Sequence, residues 1–208
     1  MKTLDRRPGG RTARVRAQVF DAVRAELAAH GHEGLTMEGV ATRAGVHRAT
    51  VYRRWRDVGG LLVDLIDTAG EIEWQPPDTG SLRGDLAALN QEIQESLVLE
   101  PSFAVALIVA SFHSEQAARA QTRLWAARYA QCEILVERAF ACGELPTPHT
   151  DARILLITAM APLYHQMVLL RADPDPRLPE RAAEAAYLAA VAGAFSVRHE
   201  ESARSRHS

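Results

Sequence analysis

The chain has few of the residues that stabilise extracellular proteins. Its 208 residues include two cysteines, one lysine and only 6% aromatic residues. Cys132 and Cys142 are ten positions apart on one predicted helix and point to different faces, so no disulfide is expected between them. Two unpaired thiols fit a reducing compartment, and a cytoplasmic protein is expected.

Sequence motifs that carry catalysis are also absent. There is no glycine-rich phosphate loop, no Gly-x-Ser-x-Gly motif and no carboxylate pair within an apolar stripe. Neither His113 nor His165 has a second histidine or cysteine three or four residues away, so no metal site is expected. Strand-like alternation is missing as well. These absences predict an all-α protein that is not an enzyme and has no cofactor.

Secretion and membrane insertion are both unexpected. The first residues are basic and are not followed by an apolar core. The most apolar run, residues 154–170, approaches the length of a membrane span but contains Pro162, Tyr164, His165 and Gln166. We interpret this run as a buried helix at a subunit interface.

The most informative segment present is residues 36–55, which predicts two short helices joined by a glycine turn. Thr36 is placed to cap a helix that opens at Met37, and apolar residues then recur at three- and four-residue steps. Gly45 supplies the positive φ that ends this helix, and His47 is placed to cap the next helix from Arg48. This is the layout of a DNA-reading helix-turn-helix.

The second of these helices has two apolar anchors, Val51 and Trp55, four residues apart. Its other side chains are mostly basic or hydroxylated, which suits contacts with base edges and phosphates. The alternative is a pair of short helices that binds nothing, since such pairs occur in many helical proteins.

Charge distribution favours the DNA-binding interpretation. Residues 1–60 contain twelve basic and six acidic residues, a net charge of +6, whereas the whole chain has −2. The remaining residues therefore carry −8. One end of the chain attracts a polyanion and the rest repels it.

Together these residues resemble the TetR (tetracycline-repressor-like) family of bacterial transcriptional regulators. The likeness covers about residues 11–65 and rests on Gly31 after the first helix, Thr36, Val40-Ala41, Ala44-Gly45-Val46, and Tyr52 with Trp55. The resemblance implies an N-terminal three-helix helix-turn-helix domain and a larger C-terminal helical domain for ligand binding and dimerisation, about nine helices in all.

The resemblance also implies which residues contact DNA. One departure from the family pattern is Val58, which stands where a phosphate-binding lysine is usual; Arg53, Arg54 or Arg56 could replace that contact. Including two arm candidates at the start of the first helix, the predicted DNA-binding residues are Arg11, Arg14, Thr36, His47, Arg48, Thr50, Tyr52, Arg53 and Arg54.

Periodicity and breakers predict the remaining organisation. A DNA-binding domain is expected over residues 1–60, an effector-binding and dimerisation domain over 61–197, and a disordered tail over 198–208. The predicted helices are 11–29, 37–44, 48–55, one that starts near Val58, one capped by Ser81, one opened by Pro101, 115–141, 150–171 and 179–197.

The last two predicted helices are too apolar for a solvated surface. The final helix is rich in alanine, which allows helices to approach closely, and two such helices from each subunit would form a two-fold four-helix interface. The alternative is that they fill the core of a monomer. A homodimer is preferred because one helix-turn-helix reads few base pairs.

A small apolar or aromatic effector is expected in the larger domain. Candidate pocket residues combine aromatic rings, thioethers and a few polar groups. The alternative for each is a place in the packed core. The candidates are Phe103, Phe112, His113, Trp125, Tyr129, Met160, Tyr164, His165 and Met167.

The sequence thus predicts a homodimeric, sequence-specific DNA-binding transcriptional regulator. In this interpretation it is a repressor that a small-molecule effector releases from a palindromic operator. The alternative is a helical ligand-binding or partner-binding protein that has lost specific operator binding, and Val58 is the feature that favours it.

Overall fold

The computed structural model describes residues 9–31, 34–71, 74–99 and 102–197. Within these ranges every regular element is helical, and the one β-type pairing is an isolated bridge between Thr150 and Ser196. The all-α prediction is confirmed. The helices are α1 (Gly9–His30), α2 (Met37–Ala44), α3 (Arg48–Arg54), α4 (Val58–Glu71), α5 (Leu82–Val98), α6 (Phe103–His113), α7 (Glu115–Gln131), α8 (Glu133–Ala141), α9 (Ala152–Tyr164) and α10 (Leu178–Val191).

The helix-turn-helix forms through the local signals that predicted it. The Thr36 hydroxyl accepts a hydrogen bond from the Gly39 amide at 3.0 Å and caps α2. Gly45 follows α2 with φ of 63°, a conformation that glycine adopts without strain. The His47 Nδ1 atom accepts from the Ala49 amide at 3.3 Å and caps α3. All three predicted boundary residues are confirmed.

Cα packing divides the chain into two compact units. Of the described residues, those between 9 and 71 and between 99 and 124 form the first unit, and those between 74 and 98 and between 125 and 197 form the second. The first unit therefore contains α4, α6 and the beginning of α7 in addition to the helix-turn-helix. The predicted boundary at residue 60 divides DNA binding from effector binding and dimerisation, and it stays a prediction.

The core of the first unit is aliphatic and closely packed. Val19 and Val23 of α1, Val40 of α2, Val51 of α3 and Leu61 of α4 are completely buried. Val58 is half-buried against the same cluster. Burial of these apolar side chains fixes α2 and α3 on a base formed by α1 and α4.

A polar network on Asp64 of α4 supplements this core. Its carboxylate accepts hydrogen bonds from Arg16 Nη2 at 2.6 Å and from the Trp55 indole N–H at 2.8 Å. Arg16 also donates to the Thr68 hydroxyl, and Arg54 Nε lies 3.8 Å from the Asp64 carboxylate. One carboxylate thus links α1, the end of α3 and α4.

These contacts set the ionisation of Asp64. Partial burial alone would raise the pKa of the carboxyl group, but the hydrogen bonds from Arg16 and Trp55 and the charges of Arg16 and Arg54 outweigh it and lower the pKa. The ionised form is therefore the stable form in the folded protein.

The second unit is organised around α5. Leu82 and Leu86 of α5 and Leu155 and Leu156 of α9 are buried in its core. The buried Asn90 amide of α5 donates to the Ala159 carbonyl of α9 at 2.9 Å and to the Pro179 carbonyl of α10 at 3.1 Å. By length and composition alone, Ala152–Leu169 could cross a membrane, yet Leu155, Leu156 and Leu163 of α9 pack inside this unit.

The alanines of α10 face two ways. Ala182, Ala183, Ala186 and Ala190 are buried in the core of their own unit, whereas Ala185 is exposed. The close approach that alanine permits is therefore used first between α10 and its own neighbours. Packing within the chain therefore accounts for four of the six alanines of α10.

The predicted helix over residues 115–141 is wrong, because the structure has two helices there. Cys132 separates α7 from α8 with φ of −81° and ψ of −4°, and its amide donates to the carbonyls of both Arg128 and Tyr129. A ψ near zero tightens the turn locally and interrupts regular α-helix bonding. The predicted stop is confirmed: α8 ends at Ala141, and Gly143 has φ of 80°.

Three other predicted boundaries need correction. The α6 helix begins at Phe103, because the Ser102 hydroxyl accepts from the Val105 amide; Pro101 lies outside the described residues. The α9 helix ends at Tyr164 and continues as a π-turn, His165–Leu169, just after Pro162 removes a backbone donor. The α10 helix ends at Val191, ahead of Gly193 with φ of 79°. The predicted tail over 198–208 also lies outside the described residues.

Replacing Asp64 tests how much its hydrogen bonds and ion pairs contribute to the free energy of unfolding. We expect Asp64→Asn to lower the free energy of unfolding by about 1 to 3 kcal/mol at pH 7, because hydrogen bonds to a charged acceptor are weakened. Folding lowers the pKa of the Asp64 carboxyl group. The stabilisation from its hydrogen bonds is therefore fully present above the pKa of an unfolded aspartate, about 3.9, and is lost as the pH falls through the lower pKa of the folded protein. Urea unfolding at pH 7 and pH 3 measures both effects.

Asp21→Asn is the matched control, because Asp21 forms an exposed ion pair with Arg24. An Asp64→Asn variant no less stable than this control at pH 7 would contradict the prediction.

Candidate nucleic-acid interface

A groove of about 870 Å³ runs between α1 and the helix-turn-helix. We call it the α1–α3 groove, and its walls come from the outer side of α1, the turn after α2 and the exposed side of α3. It brings together five residues predicted to bind DNA: Arg14, His47, Thr50, Arg53 and Arg54. The other lining residues are Thr12, Val15, Gln18, Gly45, Val46 and Trp55.

The basic residues of the groove differ in their surroundings. The side chains of Arg14 and Arg53 are exposed. Arg54 instead has its guanidinium 5.2 Å from the centroid of the Trp55 ring and lies near Asp64. Arg14 and Arg53 are therefore the better placed of the three for phosphates. A polyanion in this groove would meet positive charge from both α1 and α3.

A second cluster lies at the exposed side of α3, where Arg48 and Tyr52 are one turn apart. The Arg48 guanidinium carbon is 5.1 Å from the centroid of the Tyr52 ring. Glu38 of α2 joins both residues: its Oε1 atom accepts from the Tyr52 hydroxyl at 2.8 Å and lies 2.5 Å from Arg48 Nη2. We call these three residues the Glu38 cluster.

The Glu38 cluster is open to solvent. The side chains of Arg48 and Glu38 are 64% and 48% exposed. The hydrogen bond from Tyr52, a backbone hydrogen bond and the charge of Arg48 lower the pKa of Glu38. Glu38 is the one member of this cluster that sequence reasoning missed, because an acid in the first turn of a helix is already explained by the helix dipole.

The other predicted DNA-binding residues lie at helix starts. The Thr36 oxygen accepts from the Gly39 amide, which leaves the hydroxyl hydrogen to donate to a phosphate. Arg11 belongs to α1, but its side chain lies outside the described part of the chain.

Val58 stands where the family resemblance implies a phosphate-binding lysine. It is the first residue of α4, and Asp57 caps this helix by accepting from the Gly60 amide at 2.8 Å. The valine side chain packs against the core of the first unit. Apolar packing therefore substitutes here for a positive charge.

Three effector candidates come together in the second unit. The ring centroids of Trp125 and Tyr129 are 5.8 Å apart and nearly parallel, and the Tyr164 ring meets Trp125 edge-on at 5.9 Å. Arg153 lies over Tyr129 at 5.7 Å. Burial raises the pKa of both tyrosine hydroxyls, so they are neutral donors at ordinary pH.

The other effector candidates are scattered. Phe112 is 77% exposed and belongs to the first unit, as does the exposed His113. Met160 is buried in the second unit, and His165 and Met167 lie on the π-turn. The side chain of Phe103 lies outside the described part of the chain. Among the candidates with described side chains, ring contacts join Trp125 to Tyr129 and to Tyr164.

Sequence comparisons find two profiles that match successive parts of the chain. A profile described as bacterial regulatory proteins of the tetR family matches residues 19–65, and a tetracyclin repressor-like C-terminal domain matches residues 76–186. The chain is 31% identical over 175 residues to the HTH-type transcriptional regulator AqdR of Rhodococcus erythropolis, and the match covers 83% of each chain.

Solved structures share the fold. A TetR-family regulator from Mesorhizobium loti superposes with a TM-score of 0.66 at 20% identity, covering 90% of this chain and 99% of the other. A TetR regulator from Agrobacterium tumefaciens gives a TM-score of 0.64 at 18% identity, covering 88% and 95%.

The fold and its exposed helix-turn-helix define a DNA-binding transcriptional regulator. With one profile over residues 19–65, a second over residues 76–186 and a relative that matches most of its length, the chain belongs to the TetR family. The fold predicted from the sequence is thereby confirmed, while the roles of individual site residues stay predictions.

The Thr36 cap gives a direct test of how the interface is built. We expect Thr36→Ala to lower the free energy of unfolding by about 1 kcal/mol, because the Gly39 amide loses its acceptor. Thr36→Ser retains the hydroxyl and should restore most of that stability. Urea unfolding of both variants measures the difference, and equal losses in the two would rule out the capping role.

Proposed function

We propose that this protein is a homodimeric repressor that binds a palindromic operator and is released from it by a small apolar or aromatic effector. Its place of action is the bacterial cytoplasm. The observation that supports the proposal most directly is the α1–α3 groove, which joins basic residues of α1 to the turn and exposed side of α3.

DNA reading is assigned to two groups of residues. Arg14 and Arg53 bind phosphates from the groove, since arginine in a basic cleft favours a polyanion. Arg48, on the exposed side of α3, contacts a base edge in the major groove, where a guanidinium matches guanine O6 and N7. Thr50 and Tyr52 complete the contacts from the same helix.

Dimerisation is assigned to the outer side of α9, the π-turn and α10. Large apolar side chains on this surface are 40 to 71% exposed: Ile154, Leu169, Leu170, Leu188 and Val191. A second copy would remove them from water, which is favourable by about 25 cal/mol per Å² of apolar surface. Two-fold pairing also places two recognition helices about 34 to 36 Å apart, one turn of DNA.

The effector is assigned to the Trp125, Tyr129 and Tyr164 rings. An apolar or aromatic molecule would pack among them, and their neutral hydroxyls would orient its polar groups. Trp125 and Tyr129 belong to α7, so a ligand there acts on that helix.

The opposite end of α7 belongs to the first unit. The Ser114 hydroxyl accepts from the Ala117 amide and caps α7. A Cβ atom on Gly59, at the start of α4, would lie 3.0 Å from the Ser114 Oγ atom. Displacement of α7 would therefore act on α4. Coupling energies of about 1 to 3 kcal/mol would weaken operator binding about 5- to 150-fold.

Val58 favours one competing function. A protein that lacks the usual cation at the start of α4 could bind a ligand or partner without binding an operator. Affinity for the DNA that flanks the gene, compared with random DNA of equal length at low and high salt, separates the two functions. Selective binding with a two-fold footprint supports the repressor, and weak binding indifferent to sequence supports the competitor.

The two groups of arginines should respond differently to truncation. We expect Arg48→Ala to weaken operator binding by about 1 to 3 kcal/mol and to relax base preference, because a base contact is lost. Arg14→Ala should weaken operator and random DNA equally and reduce the salt slope by about 1. Fluorescence anisotropy with both duplexes measures this, and equal losses on both duplexes for Arg48→Ala would contradict its assignment.

The proposed dimer surface predicts a change in association. We expect Leu188→Asp to raise the dimer dissociation constant by at least about tenfold, because a charge would be buried without a partner. Phe140→Asp on α8 is the control, since Phe140 is also exposed but lies outside the proposed surface. Sedimentation equilibrium measures both variants, and an unaltered Leu188→Asp dimer would contradict the assignment.

A further inference from the structure

A carboxylate lies among the residues proposed to contact DNA, which is unexpected for a surface that binds phosphates. Glu38 Oε1 accepts from the Tyr52 hydroxyl at 2.8 Å and pairs with Arg48 Nη2 at 2.5 Å. A single oxygen atom thus engages two residues assigned to DNA recognition. Removing Glu38 from the surface would raise its positive charge, so its presence opposes binding to DNA in general.

The position of Glu38 is well defined. It is the second residue of α2, whose first turn is capped by Thr36 and anchored by the buried Met37 and Val40. Its pair with Arg48 therefore spans the two helices of the helix-turn-helix. Tyr52 supports the same arrangement, because its ring lies beside the Arg48 guanidinium.

We propose that Glu38 is a specificity-determining residue: it holds Arg48 and Tyr52 away from the phosphates of random DNA and leaves the remaining Arg48 donors free to contact a base edge on the operator. This inference rests on the proposed function. In this proposal, the negative charge of Glu38 weakens complexes with random DNA more than it weakens the complex with the operator.

The pair with Glu38 leaves Arg48 able to read a base. The contact is made through Nη2, and a guanidinium carries five N–H donors in a planar fork. A guanine edge can therefore accept from the remaining donors while the pair persists. A phosphate of random DNA competes with Glu38 for Arg48 and also brings negative charge close to the carboxylate, so the pair opposes that contact.

Glu38→Gln tests the proposal with a minimal change in shape. Glutamine keeps an oxygen that can accept from Tyr52 but removes the charge that pairs with Arg48. Wild-type protein would first select its preferred sequence from a duplex library with roughly 30 randomised base pairs, enough for two half-sites one helical turn apart. Affinities for the selected duplex and for a scrambled duplex of the same composition are then measured across a salt series.

We expect Glu38→Gln to bind the scrambled duplex about 3- to 10-fold more tightly, with a log–log salt slope steeper by about 0.9, since Arg48 becomes available to one more phosphate. Affinity for the selected duplex should change less than about twofold, so the ratio between the two duplexes falls. A second selection with the variant should return a more relaxed consensus.

Asp21→Asn is the matched control for charge. It removes one negative charge from the same compact unit and breaks an exposed ion pair with Arg24, at a position remote from α3 in the sequence. We expect its ratio between the two duplexes to equal that of wild type. Circular dichroism melts of all three proteins would show whether each is folded at the assay temperature.

The outcomes separate this inference from the proposed function. A wild-type protein that selects no sequence overturns both. A wild type that selects a sequence, with a Glu38→Gln ratio equal to that of Asp21→Asn, retains the repressor and overturns the role of Glu38. Loss of affinity for the selected duplex alone also overturns that role, because Glu38 would then stabilise the operator complex instead of weakening complexes with random DNA.

Discussion

The position of α3 depends on the carboxylate of Asp64, which joins the end of this helix to α1 and α4. Apolar packing fixes how deeply α3 lies in its unit, but apolar contacts have little directional preference. Hydrogen bonds from Arg16 and from the Trp55 indole, made to one carboxylate on α4, set the angle at which α1, the end of α3 and α4 meet. Trp55 and Arg54, which contact this carboxylate, also line the α1–α3 groove.

The hydrogen bond and ion pair of Glu38 differ from the contacts of Asp64 because they lie on an exposed surface. Asp64 is partly buried, and its hydrogen bonds from Arg16 and Trp55 hold side chains within the first unit. Glu38 is half exposed, and its partners are the residues assigned to DNA, so any complex must either retain or replace their contacts. The two acids of this unit thus have different consequences. Asp64 restrains the packing of the helices, whereas Glu38 competes with DNA for Arg48 and Tyr52.

Local signals made the helix-turn-helix predictable almost to the residue. Thr36, Gly45 and His47 each act within three positions of themselves, so their roles can be read from neighbours in the chain. The break at Cys132 has no such signal, because one residue with ψ near zero interrupts an otherwise continuous helical pattern. Likewise the sequence indicates aromatic residues for an effector, but only the fold brings Trp125, Tyr129 and Tyr164 together, since Tyr164 is 35 positions from Tyr129.

The three tryptophans lie in three distinct environments. Trp55 donates its indole N–H to Asp64 in the first unit, whereas Trp74 stacks with the Arg128 guanidinium and Trp125 packs against two tyrosines in the second. Indole emission responds to nearby charge and to stacked rings. The protein therefore contains its own optical probes: Trp55 reports on the DNA-binding unit, and Trp125 reports on the unit assigned to the effector, without any attached dye.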